Sequence, residues 1–254
     1  MKFYLSSNFL MKGAPIFSIM VHCFYGVDSF QEQIHPLNEK YPFQLFLNSV
    51  IHNGMCNDTA ITDFDFIPSQ NVVFRRSTNV GKDIGGKFVL LDTYLRLGIK
   101  TKYIVFIHDK KSPHLVNGSK WFDNLIRIVE PTLVDEIINS FERNNKIGII
   151  ASRGSVMKEA SSPGYFESNN GRLLSQLQKK YDVYPIDLAY VAGTMFWVRS
   201  DIITKFFQRF HPLEIRASLE EGNILDNEAG TITHSWERLL SWIVTSQGYH
   251  IKEV

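Results

Sequence analysis

Cysteine, net charge and long apolar runs are all scarce in this sequence. Two cysteines, Cys23 and Cys56, occur in 254 residues, too few for a disulfide framework or a cysteine metal site. No stretch reaches the roughly 18 consecutive apolar residues of a membrane span. The opening MKFYLSSNFLMKGAP lacks the pattern of a secretory signal. A reducing, cytoplasmic setting is therefore expected, with peripheral contact at a membrane surface left open. A net charge of +1 supplies no global field toward nucleic acid, and no nucleic-acid-binding motif occurs. Internal repeats and low-complexity linkers are also missing.

What is there is ordinary globular material: 44% hydrophobic, 21% charged and 13% aromatic. The length suits one large α/β domain. Charge is uneven along it. Ten Lys and Arg between Arg75 and Lys120 face three Asp, a local +7, and six acids between Glu214 and Glu237 face Arg216 alone, a local −5. A basic middle and an acidic end suit a site that holds a polyanion beside a proton acceptor; solvated surface patches would read the same way.

Strand and helix signals alternate. Apolar runs at IFSIMVHCFYG, YPFQLFLNSV, NVVFRRS, KYIVFIHDKKS and KIGIIAS predict strands. Helical spacing appears in VDSFQEQIHPLNEK, in Ile84, Phe88, Leu91 and Leu95 closing at Gly98, and in VEPTLVDEIINSFERNN. Residues 152–186 lose the pattern except near GRLLSQLQKKY. LAYVAGTMFWVRSDIITKFFQRF predicts an apolar strand and a helix, and HSWERLLSWIVTSQGYHI a helix and a last strand. The alternation implies an α/β fold with a mostly parallel, doubly wound sheet. One domain over 1–254 is expected, with residues 16–150 as its nucleotide half and 151–254 as its acceptor half.

Four stretches carry chemistry. STNVGKDIGGK, residues 77–87, places three glycines between a strand and a helix. At a carboxyl strand end such a loop can offer backbone N–H groups and a helix dipole to an anion. Asp83 can meet a ribose or base edge while Lys82 or Lys87 faces phosphate; a plain Asn-Gly turn would use the same residues. IVFIHDKKSP ends a buried strand in His108, Asp109, Lys110 and Lys111. Adjacent His108 and Asp109 should point to opposite faces of a continuing strand. Either could bind a metal beside diphosphate oxygens, or the two lysines could neutralise the diphosphate without one. YVAGTMFWVRS puts Gly193 and Thr194 within an apolar strand, where a glycine permits close approach of a ligand. Glu237 with Arg238 opens the last helix, where a carboxylate can favour the dipole or act as a general base. His234 is the weaker candidate.

In this order NVGKDIGG, YIVFIHDKKS, VAGTMFWVRS and THSWERLLSWIVTSQGYHI resemble the rhamnan synthesis protein F family of bacterial polysaccharide glycosyltransferases, over residues 16–251. The series also looks like a variant of the glycosyltransferase A-type fold. That resemblance implies a nucleotide-sugar donor, a dTDP- or UDP-sugar with rhamnose suggested, and a glycan or glycoconjugate acceptor. Asn79 and Gly81 match the family's Asn-x-Gly helix start. The resemblance groups them with Lys82, Asp83, His108, Asp109, Lys110 and Lys111 on the donor and places Gly193 and Thr194 by the acceptor. Glu237 stands where inverting members carry the catalytic base. One departure is plain: His108-Asp109-Lys110 replaces an Asp-x-Asp. Manganese or magnesium on Asp109 and His108 therefore competes with the lysines for the diphosphate charge. Two rival readings follow, a non-catalytic nucleotide-sugar-binding subunit of an assembly complex and a sugar nucleotidyltransferase.

Overall fold

A computed structural model describes residues 13–25, 28–51, 67–109, 118–160 and 166–254. Cys56, Lys110 and Lys111 lie outside them. The chain runs β1 (Phe17–Cys23), α1 (Asp28–Lys40), β2 (Phe43–Val50), β3 (Val72–Ser77), α2 (Lys82–Arg96), β4 (Tyr103–His108), α3 (Gly118–Ile126), α4 (Pro131–Arg143) and β5 (Ile147–Ala151). It continues through β6 (Val156–Lys158), α5 (Gly171–Tyr181), β7 (Ala189–Val191), β8 (Phe196–Arg199), α6 (Ser200–Arg209), α7 (Pro212–Arg216), α8 (Ile232–Thr245) and β9 (His250–Glu253).

The main sheet has the order β3-β2-β1-β4-β8-β5-β9. Pairing is parallel between β1 and β2, β2 and β3, β1 and β4, and β5 and β9. β8 is antiparallel to both β4 and β5, so every other strand in the sheet shares one direction. β6 and β7 pair separately, antiparallel. This is the mostly parallel α/β architecture the alternation implied. The second half contributes β8 and β9 to the same sheet as the first.

Strands here are apolar throughout because both faces of the sheet are covered. Odd and even residues separate cleanly. Met20, Phe46, Ile104 and Phe106 pack with Phe88 and Leu91 of α2 and Trp236 of α8. Phe17, Ile19, Val21, Val105 and Ile107 pack with Phe30, Ile34 and Leu37 of α1 and with Val134, Ile137 and Phe141 of α4. No helix among the described residues is long and apolar enough to cross a membrane.

Two sequence expectations need correction. The single strand expected through YVAGTMFWVRS is two strands in different sheets, β7 and β8, broken at Gly193 and Thr194, both at positive φ (78° and 53°). Because β8 runs backwards, its first residue, Phe196, pairs with Phe106 near the carboxyl end of β4. The turn therefore sits at the sheet's carboxyl edge, not inside a strand. The last helix also starts five residues before Glu237. Thr231 caps it, accepting from the His234 amide at 3.2 Å, so Glu237 lies in the helix body.

Candidate functional site

β1 leads outward to β2 and β3, and the chain then returns to β4 on the other side of β1. Strand order reverses between β1 and β4, which is where open α/β sheets leave a crevice for ligands. At that crevice His22 pairs in register with His108, and Asn48 of β2 with His22. Registered residues share a face, and these turn toward α2. Asn48 Nδ2 approaches His22 Nδ1 at 3.0 Å and donates to Ser77 Oγ at 2.9 Å. Burial pushes the His22 pKa down to about 4; Asp83 opposes this, while Lys87 and Arg216 add to it.

The glycines of residues 77–87 answer to packing. A Cβ on Gly86 would lie 1.9 Å from His22 Nδ1, so α2 can rest on β1 only with glycine there. Gly81 has φ 75°, and a Cβ would meet Leu219 Cδ1 at 2.2 Å. Leu219 introduces a strap, residues 219–224, that crosses the start of α2. The Gly81 amide donates to the Glu220 carbonyl at 2.7 Å, and the Gly222 amide to the Asn79 carbonyl at 2.7 Å. Asn79 Nδ2 donates to Asn223 Oδ1 at 3.0 Å, and Lys82 Nζ to the Ile224 carbonyl at 2.9 Å. Asn79, Gly81 and Lys82, expected on the donor, thus all bond the strap. Its Glu220 carboxylate in turn accepts from the Ile232 amide at 2.6 Å and the Thr233 amide at 2.9 Å, which ties the strap to the start of α8.

One turn into α2, Lys87 is fully buried. A buried ammonium is costly unless paired, and Lys87 Nζ has partners on three elements: Asp83 Oδ2 at 2.6 Å, Thr194 Oγ1 at 2.9 Å and His108 Nδ1 at 3.3 Å. Thr194 Oγ1 also donates to Asp83 Oδ2 at 2.6 Å. Burial alone would raise the Asp83 pKa, but Lys87 and His108, with the Lys87 and Thr194 hydrogen bonds, hold it well below the usual carboxylate range. Thr194 is β-branched at φ 53°, a conformation that costs about 1–3 kcal/mol and persists only where surroundings impose it. Its hydrogen bonds with Lys87 and Asp83 are that imposition.

The residue before it holds a second carboxylate. The Gly193 amide donates to Glu237 Oε1 at 2.7 Å, and Arg238 Nη1 donates to Glu237 Oε2 at 2.8 Å. Arg238 is fixed from behind by Glu159 Oε2 at 2.9 Å and by the Tyr190 ring, 4.5 Å from guanidinium carbon to centroid.

Asp109 faces away from this cluster, as adjacency on a strand requires. Its carboxylate accepts from the Phe24 amide at 2.7 Å and from the Tyr25 amide, fixing the turn after β1. His108 and Asp109 therefore do not converge on one point. Among the described residues no three His, Cys, Asp or Glu are grouped to hold a metal ion.

Of the residues singled out in the sequence, the structure gathers Asp83, His108, Thr194, Gly193 and Glu237 at one edge, with Lys87 at their centre. Sequence reasoning missed His22, Glu159 and Glu220. A histidine near the carboxyl end of each of two apolar runs was a visible signal for His22; a Glu in a Ser- and Gly-rich stretch gave none for Glu159.

An open, mostly parallel sheet with charged groups at its switch point defines the class of α/β proteins that bind ligands across that crevice. The sequence model of the family described as RgpF, rhamnan synthesis protein F, matches residues 6–249. The chain belongs to that family. None of the curated proteins compared matches it. Two solved structures are similar over most of its length. A mannosyltransferase from Pyrobaculum calidifontis, in complex with GDP-Man and Mn2+, shares 12% identity at TM-score 0.40, covering 96% of this chain and 55% of its own. The bifunctional glycosyltransferase WbbM, in apo form, shares 10% at TM-score 0.42, covering 93% of this chain and 44% of its own. The chain thus spans about half the length of either, and at these scores neither carries an argument about this site.

Proposed function

We propose that this chain is a glycosyltransferase that moves a sugar from a nucleotide-diphosphate donor to a hydroxyl of a glycan or glycoconjugate, with inversion. What carries the reading, beside family membership, is that consecutive residues of one strained turn hold two carboxylates, Glu237 and Asp83, at the switch-point edge. Glu237 takes the proton of the acceptor hydroxyl as that oxygen bonds the anomeric carbon. The bond from that carbon to the diphosphate oxygen breaks, and the nucleoside diphosphate leaves. A carboxylate oxygen has two acceptor sites, so the Gly193 and Arg238 bonds leave room for the incoming hydroxyl. Those bonds orient the base and keep it from swinging away.

Charge on the departing diphosphate falls to Lys110 and Lys111 or to a divalent metal, with His108 and Asp109 as its expected ligands. The described geometry does not bring those two together, which favours the lysines. Rhamnose is the first sugar to test, on the family's name. A nucleotide-sugar donor fits a cytoplasmic setting, at or near the membrane surface.

The test is donor hydrolysis and binding over a panel of nucleotide sugars, with and without manganese, for wild type and Glu237→Gln. Turnover of one donor, lost about 100-fold or more in the variant with binding kept, is the expected result. Turnover independent of manganese assigns the counter-charge to the lysines. Failure to bind any nucleotide sugar overturns the reading.

A further inference from the structure

All the contacts described for Asp83 fall on one oxygen. Oδ2 receives Lys87 Nζ at 2.6 Å and Thr194 Oγ1 at 2.6 Å, with His108 Nδ1 at 3.6 Å. The side chain nevertheless stays 22% exposed, whereas Lys87 is wholly covered. The carboxylate therefore has an anchored inner oxygen, Oδ2, and an outer one, Oδ1, with no described partner, on a side chain that is partly open. Lys87 is covered: its side chain has no exposed surface, and Asp83, Thr194 and His108 are among its partners.

The chemistry of the outer oxygen narrows what it can meet. A carboxylate repels a diphosphate, and the ammonium directly behind it cancels most of its attraction for a cation. What remains is a fixed, ionised acceptor at a partly open edge, suited to neutral O–H donors. Its neighbourhood narrows the choice further. Thr194, which holds Asp83, directly follows Gly193, which holds Glu237. A hydroxyl-reading group sharing a two-residue turn with the base faces the ring undergoing substitution more readily than the nucleoside at the far end of the diphosphate.

Building on the transferase reading above, we propose that Asp83 reads hydroxyl groups of the transferred sugar, and that Lys87 and Thr194 are the positioning residues that present it. Asp83 is then a specificity determinant for the sugar, not a phosphate ligand.

The experiment compares two ligand pairs by calorimetry, dTDP-rhamnose against dTDP and UDP-glucose against UDP. The proteins are wild type, Asp83→Asn, Lys87→Met, Thr194→Val and Thr194→Ser. Losing a charge-assisted hydrogen bond to the sugar should weaken the nucleotide sugar by about tenfold or more in the first three variants. Binding of the matching nucleoside diphosphate should stay within about twofold, and Thr194→Ser, which keeps the hydroxyl, should behave like wild type. A merely structural role would lower both members of a pair together. Lys87→Met removes the ammonium that pairs with Asp83 and can fail to fold, but Thr194→Val removes one oxygen at nearly constant shape and keeps the test decisive. Parallel loss of nucleotide sugar and nucleoside diphosphate would move Asp83 to the ribose or the diphosphate and overturn the assignment. Unchanged binding in the folded variants overturns it too. A wild type that binds none of the four ligands overturns the transferase reading, and this assignment with it.

Discussion

A methyl group at residue 86 would stand 1.9 Å from the His22 ring, and that ring is enclosed by β2 and α2 with nowhere to turn. Overpacking of this kind costs typically 1–3 kcal/mol. Gly86→Ala should therefore lose about 3 kcal/mol in urea denaturation, and His22→Ala should recover part of that in the double variant, because it vacates the space. Additive losses would show that the two residues do not meet. At this scale the sequence was half legible. Three glycines between a strand and a helix announce that something comes close, and Asp83, His108 and Glu237 stand out as charged residues beside apolar runs. What comes close is an imidazole far upstream, at His22, and a leucine far downstream, at Leu219, and no local pattern encodes such partners. The same holds for Lys87, whose spacing fits the buried side of α2 as readily as its exposed one. Only the positions of Thr194 and His108 reveal that its ammonium faces inward.

Elements with strong periodicity were readable, and those defined by a break were not. β1 to β5 emerge from apolar runs of the right length and α1, α2 and α4 from helical spacing, whereas α3 (Gly118–Ile126) was not anticipated. β7 and β8 do not separate, because both are buried and only two residues that are not strongly apolar, Gly193 and Thr194, stand between Ala192 and Met195 at the break. The start of α8 was misplaced for a related reason: Thr231 caps it only in concert with Glu220, which belongs to the strap. That arrangement yields its own prediction. Glu220 accepts two amide hydrogens and the Thr233 hydroxyl at the start of α8, where a negative charge also meets the helix dipole. Glu220→Gln should destabilise the protein by about 1 kcal/mol. In a chain of this size that corresponds to a fall in Tm of about 2–4 °C. Differential scanning calorimetry reads it directly, and an unchanged Tm would mean that the strap does not support α8.

For the molecule as a whole, acid is the informative stress. His22 has a folded pKa of about 4 against an ordinary 6.5, so below pH 6.5 the unfolded chain binds a proton that the folded one refuses. Stability is fully present above pH 6.5 and declines as pH falls toward 4, by about 3 kcal/mol in total. Asp83 acts with the same sign at lower pH. Its folded pKa lies below 3.8, so its contribution is present above that value and disappears as the carboxylate protonates. Urea unfolding at a series of pH values should show this decline between pH 6.5 and 4.5, and a flatter profile in His22→Gln. Identical slopes in the two proteins would remove His22 as the cause.

The reversed strand also sets a timetable for synthesis. β8 is made after β5 yet lies between β4 and β5. As the chain leaves the ribosome, those two strands must wait with facing edges bare, the kind of exposed edge that invites wrong pairing. Asp83 and Lys87 are synthesised early. Thr194 arrives with the strand that closes the gap, and Glu237 later still. A nascent chain thus contains both members of the charge pair before it has either the hydroxyl that fixes the carboxylate or the proton acceptor, and the edge proposed to be catalytic is among the last parts of the molecule to be completed.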